Sequence, residues 1–113
     1  MPNIIAEFSD GIESICAPPD MLDVLHQAVL DSGLFDEKSI KVRLKSYDHY
    51  LVGGERAPFV HVTCFILDGR NMEQKGALTR LTLERLREKL GVQLSITVDV
   101  RDVVRETYAK HAG

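Results

Sequence analysis

The sequence predicts an α+β fold of order βαββαβ, in which a four-stranded mixed sheet carries two helices on one face. Three observations point there. Leucine and valine recur at helical spacing in two segments, and each segment stops at a glycine, Gly33 or Gly91. Four other segments alternate apolar and polar residues or run apolar throughout, as strands do. The two halves of the chain are also loosely alike: each opens on a proline-led strand that contains a phenylalanine and is followed by Asp-Gly, at Pro2 to Gly11 and at Pro58 to Gly69. Each half therefore reads as one βαβ unit. Such a unit crosses over right-handedly, and two of them side by side place both helices on the same face of one sheet.

Asn3 to Phe8, rich in isoleucine, forms the first strand and ends at the turn signal Ser9-Asp10-Gly11. Pro19 to Ser32 forms the first helix, in which Leu22, Leu25, Val29 and Leu30 share a face, with prolines before it and Gly33 after it. From Ser39 to Val52 a second strand turns Ile40, Val42 and Leu44 to one side and Lys41, Arg43 and Lys45 to the other. That basic side cannot lie against an apolar helix. Gly53-Gly54 breaks the chain before Pro58 to Leu67, the most apolar run and the expected central strand.

After Asp68-Gly69-Arg70 a second helix begins at a capping pair, Asn71 and Gln74, and buries Leu78, Leu81, Leu86 and Leu90. Leu94, Ile96, Val98 and Val100 alternate with Ser95, Thr97 and Asp99 in the last strand, and a polar tail runs from Arg101 to Gly113. On the central strand Phe59, Phe65 and Leu67 point away from Val60, Val62 and Ile66. One layer of helices covers only one of these faces, so the open face predicts a subunit partner.

With 113 residues, 44% of them hydrophobic, the chain suits one domain, 1–113, with a single core. No apolar run approaches the ~20 residues of a membrane span, and Asn3, Glu7 and Asp10 do not make the basic start of a signal peptide. A cytoplasmic protein that does not engage a membrane is expected. Cys16 and Cys64 lie far apart and are expected as reduced thiols. A formal net charge of -3 and a pI near 5.8 argue against a nucleic-acid surface, which needs a basic excess.

Pro2 is the first candidate for chemistry. Removal of Met1 would leave a secondary amine at the chain end, and burial or neighbouring cations would lower its pKa toward the working pH of a general base. A strand that starts at once fixes that amine at a sheet edge, although a Met-Pro start can also serve only to permit methionine removal. Arg70 stands where the central strand gives way to the second helix, so its guanidinium and the free helix N–H groups can together hold a carboxylate; its other reading is a solvated loop arginine. Lys41 and Arg43 form a second cationic pair able to bind another carboxylate, or a solvated strand face.

The histidines, His26, His49, His61 and His111, show no metal-ligand spacing among themselves or with the cysteines, and no metal is expected. His61 reads as a hydrogen-bonded strand histidine ahead of a substrate donor. No glycine-rich nucleotide loop and no nucleophile elbow is present. Proton transfer without a cofactor is what the remaining residues offer.

Taken as a set, Met1 to Asp10, Gly33-Leu34-Phe35, Ile40-Lys41-Val42-Arg43, Phe59-Val60-His61-Val62-Thr63 and Gly69-Arg70 resemble the 5-carboxymethyl-2-hydroxymuconate isomerases of the tautomerase superfamily. The resemblance runs from the first residue into the last strand. It implies a tautomerase-like fold and a homotrimer whose sheets meet at the centre with the helices outside. It places the family's terminal proline on Pro2, its Gly-Arg arginine on Arg70 and one arginine of its Ile-Arg-x-Arg segment on Arg43. Lys41 stands where that segment has its other arginine, which keeps the charge and loses the bidentate fork. The implied reaction is a proton shuttle by Pro2 on an unsaturated dienol or enol carboxylic acid, with Arg70, Lys41 and Arg43 holding carboxylates. A non-catalytic trimer, or a module that binds an anionic metabolite without turnover, is the alternative reading of the same residues.

Overall fold

The computed structural model describes residues 1–113. It contains strands β1 (Asn3–Ser9), β2 (Lys41–Tyr47), β3 (Phe59–Leu67) and β4 (Ser95–Val103), with helices α1 (Pro18–Asp31) and α2 (Met72–Leu90) in the order β1-α1-β2-β3-α2-β4. Single 3-10 turns follow β1, α1 and β4, the last at Arg105–Thr107. The sheet order is β2-β1-β3-β4. β1 runs parallel to β2 and β3 parallel to β4, while β1 and β3 pair antiparallel at the centre. The two βαβ units are thus joined back to back into the mixed sheet that the sequence predicts, and both helices pack on one face.

Alternation along the central strands builds the core. Ile4, Ala6 and Phe8 of β1 and Val60, Val62, Cys64 and Ile66 of β3 are buried against Leu25 and Val29 of α1 and Leu78 and Leu86 of α2. At ~25 cal/mol per Å² of apolar surface, each such large side chain contributes roughly 1.5–3 kcal/mol. No helix is long and apolar enough to cross a membrane. Cys16 and Cys64 are both buried and unpaired.

Four boundaries or faces differ from the sequence expectation. In α1 the buried stripe is Met21, Leu25, Ala28 and Val29, and Leu22 turns outward, because the small Ala28 lets the helix approach the sheet there. In α2 Thr82 joins Leu78, Leu86 and Leu90 in the buried row while Leu81 is only half-buried; the Thr82 hydroxyl donates to the Leu78 carbonyl at 2.8 Å, so its burial leaves no polar atom unpaired. β2 stops at Tyr47, well short of Val52. The Asp10 N–H donates to the Tyr47 carbonyl at 3.0 Å, and beyond it Val52 pairs with Glu55 in a turn where Gly53 and Gly54 hold φ values of 60° and 84°. Finally, Arg101 to Val103 extend β4 in register with Phe65 to Leu67, so the tail begins after them.

The open sheet face is mixed in character. Ile5, Phe59, Phe65 and Leu67 are half-buried on it. Between them runs a polar row in which Glu7 lies beside Lys45 on one flank and His61 on the other. His61 Nδ1 lies 2.7 Å from Thr97 Oγ1 and its Nε2 3.2 Å from Thr63 Oγ1. The Tyr47 hydroxyl donates to the Glu7 carboxylate. His61 is therefore a hydrogen-bonded strand histidine.

Candidate active site

Topology brings the basic residues of distant segments to one end of the sheet. β1 and β2 start at this end, β3 and β4 finish there, and the loop after α1 passes over it. Met1 and Pro2, Lys41, the Asp68-Gly69-Arg70 turn and the tail from Arg105 onward therefore become neighbours although they span the whole sequence.

Pro2 is fully buried, and its carbonyl accepts the Lys41 backbone N–H at 3.1 Å, which seats the strand start in the sheet. Met1 precedes it, so the nitrogen of Pro2 is an amide nitrogen here and the free amine is that of Met1. That amine lies 3.5 Å from the Tyr108 hydroxyl. Burial, followed by the charges of Lys41 and Lys110, lowers its pKa below the ordinary value of 8.0. The terminal amine thus sits where its neutral, proton-accepting form is favoured.

Arg70 lies on the turn between β3 and α2. Its Nη2 donates to the Leu34 carbonyl at 2.6 Å, and its guanidinium lies 4.9 Å from the centre of the Phe35 ring. The Gly33-Leu34-Phe35 segment thereby orients the arginine. The turn itself depends on Gly69, whose φ of 118° is a conformation that side-chain-bearing residues rarely adopt. The N-terminus of α2 is closed by a capping box: the Gln74 N–H donates to Asn71 Oδ1 at 2.8 Å and the Asn71 N–H to Gln74 Oε1 at 3.0 Å. The box occupies the N–H groups of Asn71 and Gln74 and leaves those of Met72 and Glu73 without a side-chain cap.

Met1, Leu67, Asp68, Gly69, Arg70 and Arg105 line a cleft of about 350 Å³. A neighbouring cleft of about 590 Å³ has Lys38 and Lys41 on one wall and Tyr108 and Lys110 on the other. Arg43 joins neither: it stands on the open sheet face, and its Nη1 donates to Asn3 Oδ1 at 3.1 Å. Of the four residues the sequence singles out, the structure gathers Pro2, Lys41 and Arg70 around the amino terminus and leaves Arg43 one ladder step away. A cleft of about 600 Å³ between the helices is lined by Asp23, His26, Arg85 and Glu88; in it His26 Nε2 lies 2.8 Å from Glu37 and Arg85 is paired with Asp31. It is remote from the amine.

Three residues at the site escape the sequence reading: Arg105, Tyr108 and Lys110, all in the polar tail. Their residue types carry no periodic signal. Only the continuation of β4 to Val103 delivers them to the amino terminus.

The fold is shared with solved structures at low sequence identity. A 5-carboxymethyl-2-hydroxymuconate isomerase from Deinococcus radiodurans R1 is 19% identical, with a TM-score of 0.86 over 99% of this chain and 90% of that one. A fused 4-OT protein described as a symmetric trimer is 21% identical, with a TM-score of 0.80 over 98% and 93%. Pt0534 inactivated by 2-oxo-3-pentynoate is 20% identical, with a TM-score of 0.81 over 98% and 93%. Among proteins with curated descriptions, none matches the chain in sequence. The family model for 5-carboxymethyl-2-hydroxymuconate isomerase matches residues 2–112, from Pro2 through the tail that completes the cleft. The chain belongs to that family and is an isomerase.

Proposed function

We propose that the chain without Met1 isomerises an unsaturated dienol or enol carboxylic acid, with Pro2 as the single proton-transfer group and no cofactor. The observation that carries this reading is the setting of the amino terminus. Pro2 is buried at a strand start, and the amine beside it has its proton affinity lowered by burial, Lys41 and Lys110. A secondary amine in that setting would meet the same burial and cations, which favour its neutral form, and the Lys41 hydrogen bond positions it. It takes the dienol proton, and the resulting prolinium returns a proton to a carbon farther along the conjugated chain, so no atom is gained or lost. Arg70 holds a substrate carboxylate and stabilises the developing negative charge. Lys41 and Arg43 add to the positive field, Arg43 from the open sheet face.

An anionic dicarboxylate of the kind released by ring cleavage of an aromatic acid fits this charge. The open face, with its half-buried Ile5, Phe59, Phe65 and Leu67, would be covered in a cytoplasmic homotrimer, and a trimer mass by light scattering is expected. While Met1 stays attached, the same cations can bind an anion without turnover, because the nitrogen of Pro2 is then an amide.

Intact mass spectrometry and treatment with 2-oxo-3-pentynoate test the assignment of the base. Protein lacking Met1 should isomerise 2-hydroxymuconate and lose that activity as one adduct forms on the Pro2 peptide. An adduct elsewhere, or full activity in protein that retains Met1, sinks the proline mechanism.

A further inference from the structure

We propose that Arg105 is a specificity-determining residue of this cleft, which with Arg70 makes the site select dicarboxylates over monocarboxylates. This rests on the location of the site proposed above and deepens it by naming how a second carboxylate is recognised. Val103 pairs with Leu67 at the end of β4, so the chain leaves the sheet beside the exit of β3. Arg105 and Arg70 consequently stand on either side of the Asp68-Gly69 turn, and both line the cleft with the terminal amine.

Each guanidinium is already oriented by one edge. Arg105 Nη2 donates to the Asp68 carbonyl at 2.8 Å, and its Nε lies 3.5 Å from Asp68 Oδ1. Arg70 is fixed through Nη2 to Leu34 and by the Phe35 ring. Neither Nη1 has a protein partner. Fixed arginines with free N–H groups bind carboxylates at low entropic cost.

The donor count points the same way. Asp68 offsets one of the two guanidiniums, yet both keep an Nη1 without a protein partner, so each carboxylate of a diacid finds its own donor. A cleft of about 350 Å³ accepts a six-carbon diacid.

Arg105 also ties down the tail that carries Tyr108 and Lys110, and the test must separate that role from recognition. trans,trans-Muconate and sorbate share a six-carbon diene and differ in having two carboxylates or one. Calorimetric binding of each to the full chain reads Arg105 without any need for turnover. In Arg105→Gln the Kd for muconate should rise about tenfold or more, the loss of one charged hydrogen-bonded contact, while that for sorbate changes less than about twofold. Arg105→Lys should recover part of the muconate affinity. Asp68→Asn removes the competing carboxylate and should tighten muconate. If Arg105→Gln and Asp68→Asn weaken both ligands together, Arg105 is only a tail anchor and the proposal is overturned. Unchanged muconate binding in Arg105→Gln overturns it too. Failure of the parent to isomerise 2-hydroxymuconate while muconate selectivity follows Arg105 would instead count against the proline base alone.

Discussion

Arg56 and Arg70 are both loop arginines lying over an aromatic ring, at opposite ends of the sheet, yet their guanidiniums are occupied differently. Arg56 lies 4.5 Å from the Tyr50 ring centre, donates to both oxygens of Asp10 at 2.9 and 3.1 Å, and reaches the Asp48 carbonyl at 2.7 Å. The Tyr50 hydroxyl donates to the same Asp10 carboxylate at 2.9 Å. Its charge is neutralised within the chain. Arg70 lies 4.9 Å from the Phe35 ring centre and has a carbonyl as its protein acceptor. Orientation without neutralisation leaves Arg70 a full charge for an incoming anion.

The largest effect should come from exchanging these roles. Arg70→Ala is expected to lower kcat/KM for a dienol dicarboxylate by about 10²-fold or more, the loss of one oriented charged contact of ~3 kcal/mol, whereas Arg56→Ala should leave it within about twofold. Equal losses in steady-state assays would erase the distinction. Pro2→Ala keeps a terminal amine of different basicity and greater freedom, and its loss should appear in kcat, by at least about tenfold, with KM little changed.

The pH dependence sharpens the same contrast. The Met1 amine has a lowered pKa in the folded chain, and a Pro2 amine freed in the same setting meets the same burial and cations, so kcat/KM of the processed chain should rise with pH as that amine loses its proton. In the chain that keeps Met1, between the lowered value and 8.0 the unfolded state binds more protons than the folded one. Stability should therefore also rise with pH across that window. Lys41→Ala removes a charge that depresses the amine and should move the rate profile to higher pH, with less loss of activity than Arg70→Ala.

Smaller effects belong to the neutralised end and the core. Arg56 and Asp10 have half-exposed side chains, so Arg56→Ala should cost no more than about 1 kcal/mol and lower Tm by a few degrees in calorimetry. Burial pushes the Cys64 thiol up to about 12. Iodoacetamide at neutral pH should leave Cys64 unmodified in the folded protein and react with it after unfolding.

Much of the fold is legible in the residues because the helices and central strands bury one periodic face each. The Asn71/Gln74 capping box is read directly from its spacing, as is the Asp68-Gly69 turn. What escapes is set by packing. Thr82 enters the core because its hydroxyl finds the Leu78 carbonyl, which no polarity scale anticipates. Arg101 and Asp102 disguise the end of β4 because the strand there edges the sheet, where charged side chains remain solvated. At the site, Pro2, Lys41 and Arg70 are legible by residue type and by the strand or turn that carries them. Arg105, Tyr108 and Lys110 are not, since their place depends on where the last strand, Ser95–Val103, comes to lie beside Met1.

The burial of Pro2 also fixes an order in time. Cleavage of the Met1–Pro2 bond requires a processing enzyme to hold that segment extended, but in the folded chain Pro2 is enclosed and its carbonyl is bonded to Lys41. Met1 itself is half-buried and lines the cleft, so cleavage should be faster before β1 pairs with β2 than after. Maturation thus competes with folding.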